Sequence, residues 1–213
     1  MAPTKLHIIW TELCHGIRVG AEEADKWWTT IVNKYTEIQR HYHTLDHIAD
    51  MFVCYNNWKQ RLGNCSAVAL AIFFHDIVYD PKSSSNEQDS IQMFRDFAHE
   101  AELDAYLRDA TIQLIDATIT HVAVGNRDLK FFLDFDMAVL GRPADGYSDY
   151  ARQIQREYCH LDTATFNSKR AQVLQNFLAR DHIFSTEEFT QLYEEKARSN
   201  MAREISVLQS QSA

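Results

Sequence analysis

Eight apolar residues, Ala67 to Phe74, run without interruption in the segment AVALAIFFHDIVYD, 67–80. A helix that is apolar on every side has to be surrounded by protein, so the run is expected to form a buried central helix. His75 and Asp76 follow it directly. An ionised carboxylate at the end of such a helix must be paired, hydrogen-bonded or bound to a metal, because burying it bare is too costly. The dipeptide alone says little. With ten His and seventeen Asp in the chain, composition supplies about one such pair by chance. Its position after the apolar run carries the information. The structural alternative is a helix-end histidine beside a capping aspartate.

The rest of the chain reads as helical too. Strand-rich folds need many turns, yet only three prolines and six glycines punctuate 213 residues. Apolar residues recur at helical spacing, and the fold class expected is all-α. Helices are expected at about 4–16, 21–36, 44–62, 66–77, 86–100, 103–123, 127–140, 144–159, 165–180 and 185–209. Ser185 with Glu188 has the spacing of a capping box, Asn86 with Asp89 a weaker version, and Thr4 and Thr44 can serve as N-caps. Gly63, Gly125 and Gly141 fall where helices should stop. DPKSSSNEQ, 80–88, reads as an exposed loop feeding a helix. There is no internal repeat or clear linker. One domain is expected over 1–213, with a core at about 40–141 and a helical extension at about 144–213. Trp27, Trp28, Trp58 and the phenylalanines fall at helical spacings and are most simply core.

Net charge is −9 with acids and bases interspersed, which argues against a nucleic-acid polymer as the main partner. A small phosphorylated substrate needs only one or two local cations. No apolar run reaches the length of a membrane span. The segment MAPTKLHIIWTELCHG, broken by Glu12 and His15, does not read as a signal peptide. Cys14, Cys54, Cys65 and Cys159 are far apart and form no CxxC. Reduced thiols in a cytoplasmic protein are expected, each buried or half-buried as a small apolar residue.

Two further segments carry possible ligands. In RHYHTLDHIADMF, 40–52, His43 and His47 are four apart and on a continuous helix would share a face. Three histidines and Tyr42 crowd seven residues there; the alternative is a polar helix start with surface histidines. In FFLDFDMAVLG, 131–141, Asp134 and Asp136 interrupt an apolar helix. Residues two apart point to nearly opposite sides, so one site recruits only one of them easily. For either, the alternative is a carboxylate hydrogen-bonded at a helix start. Imidazoles and carboxylates together suit Mn²⁺, Fe²⁺, Co²⁺ or Zn²⁺ rather than Ca²⁺. Such an ion with an open position makes hydroxide available near neutral pH, which is hydrolytic chemistry.

The order His47, His75-Asp76, Asp136 resembles the H…HD…D signature of the HD-domain phosphohydrolase superfamily. The match is closer to a subgroup of predicted metal-dependent phosphohydrolases, through RHYHTLDHI, FFHDIVYDP…SNEQDS, TITH, DFDMAVLG and KARSNMAREI, together spanning 40–208. The resemblance implies an HD-type helical bundle with additional C-terminal helices. It implies a divalent metal, one or two ions with Mg²⁺ also admissible, held by His47, His75, Asp76 and Asp136. Asp136 is preferred to Asp134 because it matches the second acid of the family's D-x-D. His43 matches the position that protonates the leaving oxygen in related cyclic-nucleotide phosphodiesterases, although Thr44 stands where those enzymes have Asn.

Other groups are candidates for an outer ring. Thr118 and His121, three apart, could share a helix face, with His121 on a second metal or a substrate oxygen; the alternative for His121 is a surface histidine favoured by a helix C-terminus. Asn86 and Glu87 could position a water or simply start a helix. Arg40 and Lys82 are candidates to clamp phosphate, or else solvated surface cations. Tyr42 and Tyr79 flank the expected ligands and could stack on a substrate ring or hydrogen-bond a ligand. Arg198 and Asn200 are expected to tie the last helix to the core. The activity implied is hydrolysis of a small phosphate ester, such as a nucleotide, by metal-bound hydroxide, with Asp76 orienting the water, His43 as acid and Glu87 assisting. The alternatives are a non-catalytic metal- or nucleotide-binding module and a di-iron oxygenase, for which only His99 and His121 could add ligands.

Overall fold

A computed structural model of the chain describes residues 2–123 and 125–210. Among these the protein is all-helical, with no strand. The helices are α1 (Ala2–Gly16), α2 (Ala21–Tyr35), α3 (Leu45–Trp58), α4 (Cys65–Phe74), α5 (Asn86–Glu100), α6 (Ala105–Ala117), α7 (Arg127–Met137), α8 (Ala144–Glu157), α9 (Thr163–Leu178) and α10 (Glu187–Ser210). Short 3₁₀ turns follow α3 at Lys59–Arg61 and α7 at Ala138–Gly141. No described helix is long and apolar enough to cross a membrane. The chain divides into two compact units, Met1–Phe132 and Leu133–Ala213. The division falls inside α7, ahead of residue 144, where the sequence suggests that a helical extension begins.

In the first unit the apolar run forms α4, and every residue from Ala67 to Phe74 is buried. Asn64 caps its start, the side-chain oxygen accepting from Ala67 N at 3.0 Å. The Asp128 carboxylate accepts from Gly63 N and Asn64 N, each at 2.7 Å, and so fixes the entry into the helix. Trp10, Phe73, Phe74, Phe94 and Phe97 are fully buried, with ring centroids 5.2 Å apart for Trp10–Phe73 and 5.1 Å for Phe74–Phe97. Burying each ring contributes roughly 1.5–3 kcal/mol, more than the ~1 kcal/mol typical of one helix cap. The core, not the caps, therefore holds α4 in place. Trp27 belongs to this core, whereas Trp28 and Trp58 are half-buried.

Several helix ends differ from the sequence expectation. Thr4 lies inside α1 rather than at its cap. α4 stops at Phe74, not at 77. Beyond it Arg40 takes the carbonyls of Asp76 and Ile77, and Ser90 Oγ accepts from Val78 N, so these groups are bound to side chains instead of a further helical turn. α6 stops at Ala117, where the Thr118 hydroxyl donates to Ile115 O at 2.7 Å. Asn86 opens α5 but does not pair with Asp89; it exchanges two 2.9 Å bonds with the Asp80 backbone and closes the 80–86 loop. Asp89 accepts from Ser85 Oγ instead.

In the second unit α10 packs on α9 and on the Ala138–Gly141 turn. A side chain at Gly141 would put its Cβ 2.5 Å from Tyr193 Cβ, so this close approach requires glycine. Asn200 Nδ2 donates to Leu140 O and Arg142 O, both at 2.9 Å. Arg198 donates to the carbonyls of Leu178, Arg180 and Asp181 and caps the end of α9. Asn200 thus ties the last helix to the Ala138–Gly141 turn, whereas Arg198, expected to reach the core, ties it to the end of α9. The cap of α10 is Thr186 rather than Ser185: its hydroxyl oxygen accepts from Phe189 N at 3.3 Å. Ser185 N donates to Asp134 instead. No disulfide joins the four cysteines; Cys14 is buried, Cys54 and Cys65 are half-buried, and Cys159, against expectation, is exposed. Burial pushes the Cys14 thiol up to about 12.

Candidate metal centre

The buried helix α4 delivers His75 and Asp76 at its C-terminal end, and α3 packs beside α4. Thr44 caps α3 in an extended conformation, its side chain accepting from Asp46 N at 3.3 Å. His47 therefore sits in the first turn of α3, and His43 lies before the helix. The two do not share a face of one continuous helix, as their spacing suggests; the turn at 41–44 brings them together instead, with ring centroids 6.0 Å apart.

His47 and His75 are buried, and their Nε2 atoms face one another at 3.3 Å. His75 Nδ1 lies 3.1 Å from Ile72 O. A carbonyl only accepts, so this contact places a proton on Nδ1; a neutral ring would then present its lone pair at Nε2. Asp76 Oδ2 is 3.0 Å from His75 Nε2, 3.8 Å from His47 Nε2 and 4.0 Å from His43 Nε2. Ring nitrogens of His47 and His75 and a carboxylate oxygen of Asp76 thus converge.

The donor set fits a metal. An ion with ligands at ~2.1 Å holds neighbouring ligand atoms about 3.0–3.4 Å apart, close to the 3.0 and 3.3 Å spacings at His75 Nε2. His75 also has the hydrogen-bonded second ring nitrogen typical of metal-bound imidazole. His47 and His75 are accordingly ligands that could hold a metal ion. His43 Nε2, 4.0 Å from Asp76 Oδ2 and partly exposed, lies at the edge of this cluster.

Aromatic rings flank the cluster. Tyr79 stacks on His43 at 4.3 Å, and Tyr42 lies 4.8 Å from His47 and 5.0 Å from His43. Both tyrosines are buried and form walls around the histidines.

Arg40 is a buried cation rather than a surface one. Its side chain has no exposure. Nη1 donates to His43 O at 3.0 Å and Asp76 O at 2.8 Å, Nη2 to Ile77 O at 2.9 Å, and Nε to Glu37 Oε2 at 3.3 Å. Its guanidinium lies over the rings of Tyr35 and Tyr79, 4.9 and 5.4 Å from their centroids. Lys82 is exposed on the 80–86 loop, where its N–H donates to Asp80 Oδ1. Asn86 closes that loop rather than facing a substrate, and Glu87 is half-buried in the first turn of α5. Thr118 and His121 do not share a helix face, because α6 has ended and His121 has a φ of 49° in the turn beyond it.

The second unit separates the roles of the two acids of DFD. Asp134 is buried and accepts from Ser185 N at 2.7 Å, Thr186 N at 2.8 Å and Thr186 Oγ1 at 2.6 Å. Burial pushes its carboxyl up to about 6, against the opposing pull of these donors. It ties the start of α10. Asp136 is half-buried in the last turn of α7.

Sequence reasoning missed Glu37, Tyr35 and Ser90 as supports of this region. Glu37 and Arg40 are three apart, a spacing that can pair charges. Ser90 gives no sequence signal for its contacts to Val78 N and O, because they cross a loop. No protein-family model, curated protein or solved structure matches the chain.

Proposed function

We propose that the protein is a metal-dependent phosphohydrolase acting on a small phosphate ester, with a nucleotide as one candidate substrate. The observation that carries the proposal is the convergence of His47 Nε2, His75 Nε2 and Asp76 Oδ2 within 3.0–3.8 Å, with His43 Nε2 4.0 Å from that carboxylate. The H…HD…D order supports it and supplies Asp136 as the fourth ligand. Mn²⁺, Fe²⁺, Co²⁺ and Zn²⁺ match the mixed nitrogen and oxygen donors. A bound ion would supply Lewis acidity, lowering the pKa of water and offsetting charge on phosphoryl oxygens.

The chain's own residues do the rest. Asp76, half-buried and next to His75, orients the attacking water and accepts its proton. His43 protonates the departing oxygen, its ring held by the stack on Tyr79. Tyr42 and Tyr79 keep bulk water from the buried side of the cluster. Lys82, the exposed one of the two candidate cations, is the available attraction for a phosphate.

The test is a screen of phosphate monoesters, cyclic nucleotides and nucleoside triphosphates, with and without added Mn²⁺ or Co²⁺. Release of phosphate or opening of a cyclic ester, abolished by a chelator and restored by metal, is expected. A metal-loaded protein that turns over none of the three classes overturns the reading.

A further inference from the structure

Arg40 joins the backbone of two segments that carry side chains of the candidate site. Its Nη1 donates at once to the carbonyls of His43 and Asp76, which belong to different segments of the chain. One segment leads into α3 and the other leaves α4. Nη2 extends the grip to Ile77 O. The two residues held by Nη1 are those whose side chains the proposed reaction uses to move protons. Their side-chain atoms lie 4.0 Å apart.

We propose that Arg40 is a positioning residue that sets the distance between His43 and Asp76 by fixing the backbone of both; this rests on the phosphohydrolase reading for its consequence in turnover. The chemistry of the site favours a guanidinium. Its planar fork offers several donors in fixed directions and lies flat on aromatic rings, as Arg40 does on Tyr35 and Tyr79. An ammonium is a compact charge that cannot span three carbonyls in two segments with the same geometry. Glu37, at 3.3 Å from Nε, offsets the buried charge. Tyr79 links the same cation to the catalytic ring, since it packs against both Arg40 and His43.

The test compares Arg40→Lys and Glu37→Gln with the wild-type full chain. Three readouts are used: ¹H–¹³C spectra of the histidine rings in metal-free protein, the visible spectrum after Co²⁺ loading, and kcat and KM for the best ester of the screen. For Arg40→Lys the His43 signal moves while that of exposed His99 does not, and the Co²⁺ spectrum changes. A displacement on the order of 1 Å lowers turnover by up to about 100-fold, so kcat falls about 10- to 100-fold with KM within about twofold. Glu37→Gln removes the charge that holds Nε at 3.3 Å, so that the guanidinium shifts on its carbonyls, and gives smaller changes of the same kind. A variant that loses only thermal stability, with His43 signal, Co²⁺ spectrum and kcat unmoved, overturns the proposal. If Arg40→Lys fails to fold, an unmoved His43 signal in Glu37→Gln overturns it. A wild-type protein that hydrolyses no ester removes the phosphohydrolase reading, yet the metal-free histidine spectra still decide the role of Arg40.

Discussion

Asp76→Ala is expected to lower turnover of the phosphate ester by about three orders of magnitude, within the 10²–10⁴ range that a positioned acid or base supplies, compounded by a weakened metal site. Asp76 Oδ2 is the atom that faces all three imidazole Nε2 positions, at 3.0, 3.8 and 4.0 Å. In the proposed mechanism, removing it takes away both a ligand and the group that orients water. The fold should survive. Arg40 holds the main-chain carbonyl of Asp76, not its carboxylate, and alanine keeps that carbonyl. Far-ultraviolet circular dichroism and thermal unfolding should match the wild type, while activity and Co²⁺ uptake fall. Full activity in a folded Asp76→Ala protein would remove Asp76 from the mechanism.

Asp134→Ala should do the opposite. It leaves Ser185 N, Thr186 N and the Thr186 hydroxyl without their carboxylate. Each donor left unsatisfied in a buried setting costs about 1–3 kcal/mol. A loss of about 3 kcal/mol or more is expected, because Thr186 is also the cap of α10. Asp134→Asn keeps one accepting oxygen and should fall between. Denaturant titration reads the stability, and Co²⁺ uptake by the folded fraction should be unchanged. Asp136→Ala should show the converse, weak metal uptake with near-normal stability. If Asp134→Ala is stable and metal-free, the two acids of DFD have been assigned in the wrong order.

The parts of the structure legible in the sequence were those set by local pattern. Ala67–Phe74 had to be a buried helix because no face of it is polar, and it is. The scarcity of turn residues pointed to helix throughout. Thr44 was readable as a cap because capping is decided within a few residues. What misled was anything decided at a distance. Ser185 has better capping-box spacing than Thr186, but its N–H is held by Asp134, 51 residues earlier. α4 looked continuous to residue 77, yet Arg40 and Ser90 hold the backbone beyond Phe74. Arg40 looked like a surface cation because arginine usually is one; the carbonyls that bury it lie 36 and 37 residues away. In the site, the position after the apolar run points to His75 with Asp76, the four-residue spacing offers His43 and His47, and the resemblance selects His47 as the ligand. The 3.3 Å contact between His47 and His75 depends on how α3 lies against α4, which periodicity does not encode.

The central claim is that His47, His75 and Asp76 share a metal ion, and the most direct measurement is Co²⁺ titration of the metal-free protein, followed by visible absorption and elemental analysis after desalting. The account predicts one or two ions retained per chain, with the site lost in His75→Ala and Asp76→Ala proteins that remain folded. Wild-type protein that retains no Co²⁺, Mn²⁺, Fe²⁺ or Zn²⁺ would contradict it, and the His75–Asp76 contact would then be an ordinary histidine–carboxylate contact.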